Sequence, residues 1–164
     1  MIKSVMVSPK NYAQRDRAMR LKKHLNYCAE AEWNHESGGT AQLDGFTLDF
    51  DTPREYGGDE SAPCPDQLFM ASLAGCIMNT YNYYRGMLGV ETRDLKVKVS
   101  SDIELTGSEG YRVTGINIDI NVWCIPENQE ANQRCAERAR DYCHLTKSIE
   151  PAIPIETTIK VHAG

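Results

Sequence analysis

Long apolar runs are missing from this sequence. No window approaches the roughly 18 consecutive apolar residues that a membrane-spanning helix needs, so no membrane partner is expected. The N-terminal MIKSVMVSPKNYAQRDR has no apolar core ahead of a small-residue cleavage site, and the expectation is a chain that stays in the cytoplasm. An excess of positive charge is also lacking. With 18 Lys and Arg against 23 Asp and Glu, the net charge is −5, the wrong sign for a protein whose main ligand is nucleic acid. Internal repeats and low-complexity tracts are absent. The six cysteines (Cys28, Cys64, Cys76, Cys124, Cys135 and Cys143) include no CxxC pair, so a structural zinc site lacks its usual spacing. In a reducing compartment they do not form a disulfide framework either. What remains is lone buried thiols or a reactive pair, with no metal or organic cofactor.

What is present describes an ordinary globular chain. Its 164 residues fit one domain with a real core, and 41% apolar with 25% charged residues is typical of that class. Residues 1–24 end in a basic run from Lys10 to His24 with no clear helical stripe, which reads as an arm or a solvated helix. Residues 25–164 form the domain.

From Leu25 the apolar residues alternate: Leu25, Tyr27, Ala29, Ala31 and Trp33, as in a half-buried strand. Two short strands, Thr40–Leu43 and Phe46–Phe50, flank Asp44-Gly45, a two-residue hairpin signal. The loop DTPREYGGDESAPCP follows, long for a mere connector. Pro65 suits the first turn of a helix that runs from about Asp66 to Met87, with Phe69, Leu73, Cys76, Thr80, Tyr83 and Met87 facing inward. Small residues Ala71, Ala74 and Gly75 surround Cys76. A hairpin comes next, with Leu95, Val97 and Val99 on one strand and Ile116, Ile118, Ile120 and Val122 on the other. A helix over about 127–142 carries the stripe Ala131, Cys135, Arg138/Ala139 and Tyr142 and stops at Cys143-His144. The alternation Ile155, Thr157, Ile159, Val161 closes the chain as a strand. The order β-β-β-α-β-β-α-β is an α+β arrangement with mostly antiparallel pairing. Its first helix is apolar on more than one side, so it belongs between sheets, with a second copy of the chain supplying missing cover.

Two stretches carry chemistry. PREYGGDESAPCPDQLFMASLAGC holds Asp66 and Cys76, and YCHLTKSIEPAIPIETTIKV holds Cys143. Together they resemble the two signatures of the OsmC/Ohr family, named for osmotic induction and organic hydroperoxide resistance, and the resemblance spans about Leu25 to His162. It implies an OsmC-like fold, antiparallel sheets around a buried central helix in an intertwined homodimer, and a thiol-dependent peroxidase reducing organic hydroperoxides. Cys76 falls on the family's peroxidatic cysteine and Cys143 on its resolving cysteine, with a thiol or dithiol as reductant. Family members commonly hold the thiolate with an arginine that an acid orients. Asp66 stands at the acid's position. No Arg lies between Trp33 and Arg54, so Arg54, or His35 in the turn after Trp33, is left for the cation's place. Ten residues of helix separate Asp66 from Cys76, a rise of roughly 15 Å. Asp66 therefore serves the thiol of a partner chain or simply favours the helix N-terminus. The alternative from the missing arginine is a non-peroxidase relative that binds a small molecule or senses thiol redox state. His144 reads as an exposed helix-end residue, and the other four cysteines as structural.

Overall fold

A computed structural model describes residues 23–164; the basic arm read at 1–24 lies almost wholly outside the described residues. Three strands open the chain: β1 (Glu30–Trp33), β2 (Gly38–Leu43) and β3 (Phe46–Asp51). They form an antiparallel meander, β1-β2-β3. Leu43 pairs with Phe46 across Asp44-Gly45, and both turn residues take positive φ, 41° and 95°. That backbone matches the twist of a two-residue hairpin, which is why Asp-Gly stands there.

The long loop leads to α1 (Pro65–Leu88), then β4 (Asp94–Leu105) and β5 (Tyr111–Cys124). A helical segment α2 (Gln129–Tyr142), a short helix α3 (His144–Ile149) and β6 (Ile155–Ala163) complete the order. The second sheet runs β4-β5-β6. β4 and β5 are antiparallel, but β6 lies parallel to β5, from Ile116 opposite Ile155 to Cys124 opposite Ala163. Parallel neighbours need a long crossover, and α2 with α3 is that crossover. The α+β order expected from the sequence is the one observed, with α3 added where the second helix stops.

The core lies between the second sheet and the helices. β5 sends Ile116, Ile118, Ile120 and Val122 into it, α1 sends Leu73, Cys76, Ile77 and Tyr81, and α2 sends Cys135, Ala136 and Ala139. Fully burying an Ile, Leu or Val contributes roughly 1.5–3 kcal/mol over leaving it exposed, so this cluster supplies much of the stability. The buried face of α1 differs from the expected one. Tyr83 and Met87 are 37% and 62% exposed, while Ile77 and Tyr81 face inward. The second sheet, α2 and α3 press on α1, and these partners decide that Tyr81 rather than Tyr83 is covered. The first sheet makes little contact with this body, and its Trp33 and Phe46 are exposed.

Asp51 fixes the loop between β3 and α1. It is buried and accepts from Ser37 Oγ at 2.6 Å, Thr52 N at 2.8 Å, and Ser61 N and Oγ, both at 2.8 Å. These donors, led by the Ser37 hydroxyl, hold its carboxyl far below the ordinary 3.8. Gly58 lets the loop fold back here, since a Cβ on it would meet Thr52 O at 2.0 Å. A carboxylate depressed on folding stabilises fully above its unfolded value and loses that contribution as pH falls toward the folded one. Asp51→Asn should therefore lower the thermal midpoint at pH 7, and the gap to wild type should narrow below about pH 3.8. Thermal scans at neutral and acid pH check this; a gap independent of pH would contradict it.

Candidate active site

Cys76 sits midway along α1, preceded by the small residues Ala74 and Gly75 and buried in one cluster with Leu73 and Ile77 of its own helix. α1 starts cleanly because Cys64 N donates to Gln67 Oε1 at 3.0 Å and Pro65 occupies the first turn. Across from Cys76 the chain breaks between α2 and α3. Cys143 is the break: its φ of −63° and ψ of 113° are extended. Its N–H still reaches Ala139 O at 3.1 Å, and its carbonyl already receives Lys147 N at 3.1 Å. One residue thus ends one helix and starts the next.

That geometry brings the first backbone N–H groups of α3, those of His144 and Leu145, and the Cys143 thiol within hydrogen-bonding reach of the Cys76 sulfur. The two thiols, 67 positions apart in sequence, are neighbours. Both are buried, Cys76 at 8% and Cys143 at 0% exposure. His144 adds its imidazole, with Nδ1 3.5 Å from Cys76 Sγ. Burial is the main influence on the Cys76 thiol and pushes its pKa up. The Leu145 and His144 amides pull it down, and the Cys143 thiol pushes it up again, leaving it raised.

A buried polar knot fixes α2 against α1. Asn132 Nδ2 donates to Glu91 O at 3.0 Å and Asn128 O at 2.8 Å. Its Oδ1 accepts from the Tyr81 hydroxyl and from Thr92 Oγ1. Tyr81 is raised to about 12, chiefly by burial. Every polar atom of Asn132 is satisfied, as a buried amide requires. By anchoring α2 to Tyr81, five residues beyond Cys76, the knot sets where Cys143 falls. The sequence reading passed over Asn132; the signal was a polar residue beside Ala131 on an otherwise small apolar stripe.

The other residues named from sequence lie elsewhere. Arg54 is exposed and turned to Asp59 O at 3.5 Å and to Glu60 at 3.7 Å. Asp66 is exposed in the first turn of α1, and its charge is felt by Tyr56, whose hydroxyl is raised foremost by its hydrogen bond to Tyr111. His35 packs on the Trp33 ring, centroids 4.7 Å apart. The structure therefore brings Cys76 and Cys143 together within one chain and leaves Asp66 and Arg54 on the loop side. His144 was read as an exposed helix-end residue. It is exposed, yet its ring touches the thiol, because the helix break at Cys143 restarts the chain over Cys76.

A family model described as OsmC-like protein matches residues 57–158, more than half of the chain. The chain belongs to the OsmC-like family. A relative, organic hydroperoxide resistance protein-like 2 of Staphylococcus saprophyticus, is 25% identical over 118 residues, covering 71% of this chain and 82% of that protein. Among solved structures, an OsmC like protein from Mycoplasma pneumoniae superposes with a TM-score of 0.70 at 18% identity, over 85% of this chain and 97% of that one. An organic hydroperoxide resistance protein OsmC from Legionella pneumophila gives 0.69 at 20% identity, over 85% and 100%. The OsmC fold is thus shared along nearly the whole described chain.

Proposed function

We propose that this OsmC-like protein is a thiol-dependent peroxidase that reduces organic hydroperoxides. The observation that carries the reading is the contact of the Cys76 and Cys143 thiols beneath the first amides of α3. Cys76 sulfur attacks the terminal peroxide oxygen, the O–O bond breaks, and an alcohol leaves as Cys76 becomes a sulfenic acid. The Cys143 thiol then attacks that sulfur, water leaves, and a Cys76–Cys143 disulfide forms. An external thiol or dithiol reduces it by exchange. The apolar surroundings, Leu73, Ile77 and the β5 isoleucines, suit a lipophilic hydroperoxide better than hydrogen peroxide. The setting is cytoplasmic, where six thiols without a disulfide among them stay reduced. A second reading, a thiol-redox sensor, draws on one observation: Arg54 is engaged with Asp59 and Glu60 rather than with the thiol of its own chain.

Turnover separates the two. With a dithiol present, reduced protein should consume tert-butyl hydroperoxide catalytically, and Cys76→Ser should lower the rate by at least about 100-fold, the scale set by losing a nucleophile. One equivalent of peroxide should give the Cys76–Cys143 linkage on peptide mapping. Undiminished turnover in Cys76→Ser, or a Cys64–Cys76 bridge, would contradict the assignment. Oxidation without turnover would favour the sensor.

The working unit in this proposal is an intertwined homodimer. Support comes from the apolar residues left open: Trp33 and Phe46 on the first sheet, Met87 and Leu88 on α1, and Leu105 and Tyr111 on the β4-β5 hairpin. So many large exposed apolar groups ask for cover, and two-fold dimers are the commonest way to supply it. In the dimer, Asp66 and Arg54 of one chain serve the thiol of the other. Light scattering at micromolar concentration should give twice the chain mass of 18.4 kDa; a monomer would defeat the composite site.

A further inference from the structure

The cation or base that a buried thiol requires stands within this chain itself. We propose that His144 is a catalytic residue: its Nδ1 takes the proton of Cys76 as the sulfur attacks and returns it to the leaving oxygen. The proposal rests on Cys76 being the attacking thiol but adds a role that neither the arginine of the family pattern nor Asp66 supplies here.

Four observations carry it. Nδ1 lies 3.5 Å from Cys76 Sγ, a normal separation for a hydrogen bond involving sulfur. The direction is fixed by the backbone. Cys143 restarts the helix over the thiol, His144 is its first residue, and Ser148 Oγ donates to the His144 carbonyl at 2.7 Å, holding that first turn closed. His144 as a residue is also exposed, open to proton exchange with water, while its Nδ1 meets the sulfur of a buried cysteine. Finally, burial keeps the thiol protonated near neutral pH, so attack needs a base in reach, and imidazole is the side chain that changes charge nearest that pH.

Among the described residues of the same chain, no other base is set against the sulfur. Cys143, just past the end of α2, brings a second thiol rather than a base. β4 turns Leu95, Val97 and Val99 toward α1 and leaves Lys96 and Lys98 on its exposed side. One turn either way on α1 lie Ser72, Leu73, Asn79 and Thr80, none of which titrates near neutral pH. The step balances. The thiol proton passes to Nδ1, the S–O bond forms, and the O–O bond breaks. The alkoxide recovers the proton from the imidazolium, giving sulfenic acid, alcohol and neutral His144.

The test uses two electrophiles on the reduced full-length protein, tert-butyl hydroperoxide and iodoacetamide, with loss of the Cys76 thiol read by mass spectrometry across mildly acid to alkaline pH. In the wild type, both rates should rise with pH and already be substantial at neutral pH. His144→Asn keeps an amide nitrogen near the Nδ1 position but no base. It should slow both reactions by about 100-fold at neutral pH, the scale of general base catalysis. The rise should then shift to alkaline pH, where the thiol itself ionises. His144→Gln should behave the same and guards against a folding defect in one variant, with thermal midpoints as the control. Wild-type profiles in either substituted protein, or a wild-type rise seen only at alkaline pH, would overturn the role. If iodoacetamide shows the His144 dependence while the hydroperoxide does not react at all, His144 stands as the base and the peroxidase reading falls.

Discussion

The helix break at Cys143 is the constraint on which the rest of the site depends. An unbroken α2 would tie the amides of residues 144 and 145 to its own carbonyls one turn back. Because Cys143 adopts an extended ψ of 113°, the chain starts a second helix in a new direction, with free N–H groups at its first turn. Such groups have no partner within a helix and favour negative charge. Here they meet the sulfur of Cys76. The same turn delivers the Cys143 thiol and the His144 ring. Three chemical groups therefore converge through one backbone event, and the Asn132 knot holds the two helices so that they converge in the same place.

Burial and activation oppose each other at this centre. A thiol under apolar cover resists ionisation, which protects it from adventitious oxidation and makes it unreactive unless assisted. The amides of His144 and Leu145 offset part of that cost, and the neighbouring Cys143 works against them. The open faces bear on the same balance. The first sheet hardly touches the body that holds Cys76, and its loop, pinned by Asp51, holds Arg54 and leads into Asp66. A single chain thus separates the thiols from the charged residues that the two sequence signatures associate with them.

Much of this was legible in the sequence, for physical reasons that differ by element. Strict alternation exposed β5 and β6, Asp44-Gly45 marked its hairpin, and Pro65 marked the start of α1. The parallel pairing of β6 was not legible, because alternation says which face is buried and not which way a neighbour runs. The inward face of α1 was misjudged by about one position: a helix apolar on several sides has no single stripe, and only the packing partner decides between Tyr81 and Tyr83. For the site, the two signatures marked Cys76 and Cys143. His144 went unrecognised because its role depends on a ψ angle one residue earlier, which no periodicity reveals. Asn132 was hidden among small residues for a similar reason, since its partners Glu91, Thr92 and Tyr81 come from distant segments.

The central claim is that Cys76 is the thiol that takes oxygen from a peroxide. Trapping is the most direct measurement. Cys143→Ser protein, fully reduced and given one equivalent of an organic hydroperoxide in the presence of dimedone, should acquire a single dimedone adduct, located on Cys76. With no resolving thiol beside it, the sulfenic acid persists long enough to be captured. An adduct on Cys64 or Cys28, or none while the peroxide is still consumed, would contradict the account.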